Sequence, residues 1–124
     1  MDLGLDNTPT TFVGYNRNTA EARVLAVCVG DEVTGSITGG EKGVIVLNKT
    51  PFYAEMGGQA ADHGVILVGD SRFEVTNVQK DKGGKYLHSG KMIAGTIKTE
   101  DLVCASIDVE RRKAIMRAHS ATHL

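Results

Sequence analysis

The fold is decided by the stretch Val65-Ile66-Leu67-Val68-Gly69-Asp70-Ser71-Arg72-Phe73-Glu74-Val75-Thr76. Residues 65–68 form a continuous apolar run, and residues 72–76 alternate polar and apolar side chains, which is the period of a half-buried strand. Between them, Gly69-Asp70-Ser71 has the composition of a tight turn. The stretch therefore predicts a β-hairpin.

Similar short runs, separated by glycine-rich turns, continue in both directions from this hairpin. The chain has 15 glycines among 124 residues, more than the average usage of roughly 7% would give. About seven or eight short strands with such turns predict a mainly β fold, a small closed or nearly closed antiparallel β-barrel. No internal repeat is evident. The further runs are residues 10–15, 23–29, 33–38, 43–47, 85–88, 91–97 and 102–107.

The pattern changes at Asp108, a residue type that favours the N-cap of a helix. Residues 109–124 contain no glycine or proline, and Glu110 in the first turn complements the helix dipole. The sequence predicts a barrel domain over residues 1–107 and a C-terminal α-helix over residues 108–124. Because no C-cap residue follows the helical pattern, we expect the chain to be a piece of a longer protein.

Composition limits the classes of function. The formal net charge of −1 gives no whole-molecule attraction for nucleic acid, so any such binding must be local. Cys28 and Cys104 lie in apolar alternating runs, which predicts two buried thiols and a reducing compartment. Neither a signal peptide nor a membrane-spanning run is evident, so we expect a cytoplasmic protein with no membrane partner.

A second stretch, Thr50-Pro51-Phe52-Tyr53-Ala54-Glu55-Met56-Gly57-Gly58-Gln59, breaks the strand pattern. Pro51 fixes φ and removes a backbone donor, so it belongs at a strand edge or a turn. Gly57 and Gly58 permit positive φ and let another backbone or a ligand approach closely. The composition leaves two interpretations open, a tight turn between strands and a functional loop.

His119 and His123 are four residues apart and fall on one face of the predicted helix. Two imidazoles at this spacing can both reach one zinc ion. A catalytic zinc site requires three protein ligands, however, and no second pair is evident, since His63 and His88 are placed in barrel loops and Cys104 in a strand. The spacing leaves open a partial zinc site and a pair of structural histidines.

A local basic cluster occupies the same predicted helix. It consists of Arg111, Arg112, Lys113 and Arg117. These side chains are suited to contacts with RNA phosphates. They are equally suited to a solvated helix face, which is what most charged runs form, and the sequence leaves both interpretations open.

Three stretches taken together, and in this order, resemble the alanyl-tRNA synthetase family. They are Thr11-Phe12-Val13-Gly14-Tyr15, residues 50–59, and Arg111-Arg112 leading to His119-Ser120-Ala121-Thr122-His123-Leu124. The resemblance covers nearly the whole chain. Free-standing alanyl-tRNA editing proteins share the last two stretches, but the first stretch and Phe52-Tyr53-Ala54-Glu55 favour the synthetase. Met56 departs from the serine expected there.

The resemblance implies a β-barrel like the second domain of translation elongation factors, followed by the first helix of an editing domain that hydrolyses seryl- or glycyl-tRNA(Ala). It implies that His119 and His123 are zinc ligands, with a second ligand pair after Leu124. Thr122 would line the pocket for the serine hydroxyl. Gly57, Gly58 and Gln59 would approach the tRNA 3′ end, and Arg111, Arg112 and Arg117 its phosphates.

The implied partners are tRNA(Ala) and the remaining domains of the same synthetase. The implied cofactors are zinc at the editing site and ATP with magnesium at an aminoacylation site that this stretch does not contain. The 124 residues alone are expected to be inactive and to bind zinc weakly or not at all. Two alternatives stay open, a free-standing editing hydrolase and a non-catalytic barrel that binds RNA or protein.

Overall fold

The computed structural model describes residues 9–14, 17–55 and 60–110, and these residues are almost entirely β-structure. The hairpin predicted at residues 65–76 is present, and its second strand is longer than predicted. The strands are β1 (Thr11–Phe12), β2 (Thr19–Val29), β3 (Glu32–Val33), β4 (Ser36–Thr38), β5 (Lys42–Leu47), β6 (Lys49–Thr50), β7 (Gly64–Val68), β8 (Ser71–Lys80), β9 (Tyr86–Ala94), β10 (Thr96–Lys98) and β11 (Leu102–Ile107).

Six of these strands close into an antiparallel barrel in the order β2-β5-β9-β8-β7-β11, and β11 pairs back onto β2. The closing register places Cys104 opposite Glu21 on β2 and opposite Leu67 on β7. Closure removes the open sheet edges that would otherwise be left unpaired. The predicted mainly β fold with a closed antiparallel barrel is therefore confirmed.

The core follows from the two-residue period of the strands. In β11, Val103, Ala105 and Ile107 point inward and are buried, whereas Leu102 and Cys104 are exposed. The prediction of two buried thiols is therefore wrong for Cys104, because its position in the alternation faces outward. It is correct for Cys28, and burial raises the pKa of that thiol. The largest fully buried side chains are Phe52, Phe73, Ile37, Ile45, Leu47, Ile66, Met92 and Ile97.

One end of the barrel is covered by two short strands related by a local pseudo-twofold. Strands β4 and β10 pair antiparallel with the fully buried Ile37 directly opposite Ile97. The segments Gly35-Ser36-Ile37-Thr38 and Gly95-Thr96-Ile97-Lys98 precede equivalent turns into β5 and β11. The fold thus contains a structural repeat, although none was evident in the sequence.

Hydrogen bonds repeat with the same symmetry. The Gly39 N–H donates to the Gly95 carbonyl and the Thr99 N–H to the Gly35 carbonyl, both at 2.9 Å. Each turn is also closed by a carboxylate that accepts a hydrogen bond from the backbone N–H three residues earlier. The carboxylate is that of Glu41 in one copy and that of Asp101 in the other. The repeat is carried mainly by backbone geometry, and in the sequence it shows at the equivalent pairs Gly35 and Gly95, Ile37 and Ile97, and Glu41 and Asp101.

The opposite end of the barrel, called here the loop end, is where β5, β8 and β11 finish and where β2, β7 and β9 begin. The residues of the predicted C-terminal helix follow β11 at this end. Its first two positions, Val109 and Glu110, are helical, and the rest of the prediction lies outside the described residues. Within the described part of the chain, no helix has the length and hydropathy needed to cross a membrane.

Candidate functional site

The loop end brings together the two segments that the sequence singled out. The segment after β6 enters the loop at residues 51–55, and residues 60–63 lead back into β7. Strand β11 ends at Ile107 beside Gly64, the first residue of β7, and the chain then passes to Asp108. The exit of the candidate loop and the entry to the candidate helix are therefore neighbours.

A short hydrogen bond joins these two segments. The backbone N–H of Asp108 donates to the carbonyl oxygen of His63 at 2.6 Å. The junction is also tightly packed at Gly64, where a Cβ atom would overlap the Ser106 carbonyl oxygen and lie 3.0 Å from the Phe52 ring. A glycine is required here because two backbones and an aromatic ring meet at one point.

The entry of the loop is held by a buried polar chain centred on His88. The Nδ1 atom of His88 lies 2.9 Å from the carbonyl oxygen of Ile45, and Nε2 lies 2.7 Å from the Thr50 hydroxyl. A carbonyl can only accept, so Nδ1 carries the proton and Nε2 accepts from Thr50. The Thr50 hydroxyl oxygen in turn accepts from the Phe52 N–H at 3.1 Å.

The prediction that His88 lies in a barrel loop is wrong. The residue lies inside β9 and is fully buried. Desolvation lowers its pKa to about 4, although hydrogen bonds to the backbone of Ile45 and Tyr86 act in the opposite direction. Both ring nitrogens face protein partners at hydrogen-bond distance, and the imidazole is neutral near pH 7. It is a structural group that fixes Thr50 and Phe52, not a metal ligand.

The neck of the loop is closed by three further hydrogen bonds. The Tyr53 N–H donates to Oδ2 of the buried Asp62 at 2.9 Å, and the Asp62 N–H donates to the Tyr53 carbonyl at 3.1 Å. Two residues further on, the Glu55 N–H donates to the Val78 carbonyl at 2.7 Å. Residues 51–55 and 60–63 are therefore bonded to each other and to β8, and they form a closed neck on either side of residues 56–59.

An aromatic cluster that the sequence analysis did not predict lies beside this neck. The ring of Phe12 packs 4.6 Å from Tyr53 and 6.1 Å from Tyr86, centroid to centroid. The segment of Phe12 is held in place by Thr10, whose hydroxyl donates to the Leu47 carbonyl and accepts from the Tyr86 N–H. The N-terminal strand thus contributes to the loop end.

The side chains predicted to carry chemistry all lie outside the described residues. These are Gly57, Gly58 and Gln59 of the loop, and Arg111, Arg112, Arg117, His119, Thr122 and His123 of the predicted helix. Residues 9–14, 17–55 and 60–110 contain no group of three or more histidine, cysteine, aspartate or glutamate side chains that could hold a metal ion. The structure brings together residues 60–63 and 108–110, which lead to these side chains, but it does not describe the side chains themselves.

The fold and the loop end define the class: a small closed β-barrel that carries a closed-neck loop and an outgoing segment side by side. The family model for tRNA synthetases class II (A) matches residues 3–111 of this sequence. The chain belongs to the class II tRNA synthetase (A) family.

Curated relatives agree with this assignment. The alanine–tRNA ligase of Thermobifida fusca is 46% identical over 117 residues, which is 94% of this chain and 13% of the relative. The alanine–tRNA ligases of Acidovorax sp. and Neisseria meningitidis are 42% and 43% identical over 126 and 122 residues, covering 100% and 98% of this chain. The chain spans 13–14% of the length of these relatives. The predicted resemblance to alanyl-tRNA synthetase is confirmed.

Proposed function

We propose that this chain is the barrel segment of an alanine–tRNA ligase, in which it supports a zinc-dependent editing site that hydrolyses seryl- or glycyl-tRNA(Ala). The observation that carries the proposal is the hydrogen bond from the Asp108 N–H to the His63 carbonyl. It joins the segment leading to the imidazole pair to the segment returning from the glycine loop. Residues 1–107 form the barrel domain in this proposal, and residues 108–124 begin the editing domain.

The barrel's role is to hold two segments in a fixed relation. Hydrogen bonds from the loop backbone to Thr50, Asp62 and Val78 hold the loop neck, while the β7–β11 pairing holds the outgoing chain. Fixed positions matter because catalytic groups that shift by about 1 Å can lose roughly 100-fold in rate. This support is a function that a barrel with no catalytic group of its own can perform.

The zinc part of the proposal rests on donor chemistry. His119 and His123 supply two neutral imidazole ligands at a spacing that suits one zinc ion, and the remaining ligands come from elsewhere in the ligase. When bound, zinc supplies Lewis-acid polarisation of the ester or of the attacking water. The 124 residues alone are then inactive and hold zinc weakly or not at all.

The remaining residues are assigned to the tRNA. Gly57 and Gly58 let the backbone approach the tRNA 3′ end, and Gln59 offers amide donors and an acceptor to it. Thr122, between the two histidines, contacts the serine hydroxyl of the mischarged tRNA. Arg111, Arg112 and Arg117 contact phosphates. ATP and magnesium belong to the aminoacylation site of the ligase. We place the whole ligase in the cytoplasm.

The test uses the full-length ligase that contains this segment, with His119→Ala and His123→Ala. We expect hydrolysis of seryl-tRNA(Ala) to fall by at least about 100-fold. Removing a residue that only hydrogen-bonds to a metal ligand already costs about 10–100-fold in metal affinity or activity, and removing the ligand itself should cost more. Attachment of alanine to tRNA should stay within about twofold of the wild type, because that chemistry uses another site.

Metal analysis provides the second readout. The variants should lose the zinc that the wild-type ligase carries, and the isolated 124-residue chain should show no stoichiometric zinc by native mass spectrometry. Wild-type hydrolysis by both histidine variants, or tightly held zinc in the isolated chain, would overturn the proposal. The first outcome would favour a barrel that binds RNA or protein without a catalytic role.

A further inference from the structure

The ring of Tyr53 is exposed although its backbone is among the most firmly held at the loop end. Tyr53 as a whole residue is 44% exposed to solvent. Its N–H and its carbonyl are both bonded to Asp62, at 2.9 and 3.1 Å. The backbone from which this ring projects is therefore fixed by the fold.

Aromatic contacts fix the orientation of the ring as well. Phe12 packs against Tyr53 with a centroid distance of 4.6 Å and an interplanar angle of 47°. Phe12 is itself stacked on Tyr86 at 6.1 Å and 12°. A tyrosine ring held this way loses little conformational entropy when a ligand covers it, since only two χ angles need fixing.

The surroundings favour a single flat ligand over a protein surface. Among the described residues, the other large exposed apolar side chains are those of Val33, Ile93 and Leu102. They lie in β3, at the end of β9 and at the start of β11, which is the barrel end opposite to Tyr53. Protein interfaces use large contiguous apolar patches, whereas a single exposed aromatic ring backed by Phe12 offers about the area of one nucleobase.

We propose that Tyr53 is the stacking surface for an unpaired base of the tRNA, next to the loop that approaches the reacting end. This inference rests on the proposed function, since it takes the RNA ligand from it. Stacking of a base on an aromatic side chain tolerates any base, so the contact would hold the single-stranded end of the tRNA without reading its sequence.

The experiment exploits the absence of tryptophan from the sequence. The variant Tyr53→Trp introduces a single indole, whose fluorescence is quenched when a base stacks on it. The 124-residue variant is titrated with a single-stranded RNA of about eight nucleotides ending in CCA, a length within the 4–16 nucleotides of typical single-strand sites. We expect saturable quenching, and none in the matched variant Val33→Trp at the opposite end.

Affinity for the same RNA provides an independent readout in the tyrosine background. Tyr53→Ala should weaken binding by about tenfold or more, whereas Tyr53→Phe keeps the ring and should stay within about twofold. Thermal unfolding of each variant shows whether the barrel is intact. Equal affinity for Tyr53→Ala and wild type, or equal quenching at positions 53 and 33, would overturn the inference.

The full-length ligase separates the remaining outcome. There Tyr53→Ala should weaken the binding of tRNA(Ala), and an affinity equal to that of the wild type would mean that another part of the ligase covers the ring and that the inference is wrong. The proposed function fails by a different result, unchanged seryl-tRNA hydrolysis in the histidine variants. The two failures are therefore distinguishable.

Discussion

The backbone N–H of Asp108 donates a 2.6 Å hydrogen bond to the carbonyl oxygen of His63. This bond continues the β7–β11 pairing by one residue beyond Ile107 and Gly64. It joins the last residue before the loop returns to the barrel with the first residue of the outgoing segment. Whatever perturbs this junction acts on both segments at once.

The first prediction concerns the packing of this junction. Gly64→Ala places a methyl group against the Ser106 carbonyl oxygen and 3.0 Å from the Phe52 ring. Overpacking of this kind typically costs about 1–3 kcal/mol, and we expect a loss near the upper end in urea denaturation because backbone must move.

Gly39→Ala is the matched control for the junction variant. A Cβ at Gly39 meets its nearest neighbour, the Cα of Ala94, at 3.6 Å, which is ordinary contact, and its φ lies outside the left-handed region. Its free energy of unfolding should stay within about 0.5 kcal/mol of the wild type. Equal stability of the two variants would show that the junction is loosely packed.

The second prediction is a pH dependence caused by His88. Its pKa is lowered from 6.5 to about 4 in the folded chain, so between these values the unfolded chain binds a proton that the folded chain does not. The stability from this group is fully present above pH 6.5 and is lost as the pH falls towards 4. The total loss is about 3 kcal/mol.

His88→Gln isolates this contribution from the carboxylates that also titrate at low pH. The variant should be less stable than wild type at pH 7, and the difference between the two should shrink as the pH falls from 6.5 to 4. Urea denaturation at a series of pH values measures it. A difference that stays constant with pH would mean that the imidazole is not buried neutral.

The third prediction uses the structural repeat. Glu100 has φ of +77°, and its equivalent in the other copy is Gly40 with φ of +93°. A non-glycine residue in this region carries roughly 1–2 kcal/mol of strain. Glu100→Gly should therefore stabilise the barrel by about 1 kcal/mol. Its ion pair with Arg23, 4.0 Å apart and exposed, contributes little.

The reverse substitution completes the test of the repeat. Gly40→Ala should lower the stability by about 1 kcal/mol, although space at that position is open, because only its backbone conformation is strained. Thermal unfolding compares both variants with the wild type. Destabilisation by Glu100→Gly would show that the side chain has a role beyond its backbone conformation.

Much of the barrel could be predicted because its strands follow simple alternation. The hairpin at residues 65–76 and the inward row of β11 are examples. Glycine limited the prediction, since it signals turns in a sequence yet lies inside strands here. Gly90 lies in the middle of β9, and the strand continues through it past His88. Glycine is needed there because a Cβ would overlap the Glu74 carbonyl oxygen.

The site was harder to predict than the fold. The composition of residues 50–59 indicated irregular structure, but the contact of Thr50 with His88 joins residues 38 positions apart. It depends on the β5–β9 register, which places Ile45 opposite His88. No local pattern encodes such a register. The zinc role of His119 and His123 came from their spacing and the family resemblance, and the phosphate role of the arginines came from local charge. Both stay predictions.

The central claim is that the barrel positions the loop for editing, and Thr50 tests it most directly. Thr50→Val removes the hydroxyl that links His88 to the Phe52 N–H, and Thr50 is not among the residues proposed to contact zinc or tRNA. In the full-length ligase we expect hydrolysis of seryl-tRNA(Ala) to fall by about tenfold or more, with alanine attachment within about twofold of wild type.

Thr76→Val is the control, because the Thr76 hydroxyl is on an exposed residue of β8 and donates a long hydrogen bond of 3.4 Å to the Ser89 carbonyl. The decisive measurement is the ratio of seryl-tRNA hydrolysis to alanine attachment in the two variants. A ratio lowered in Thr50→Val alone is the result we predict. An unchanged ratio in a folded Thr50→Val ligase would contradict the claim that the barrel holds the editing loop in place.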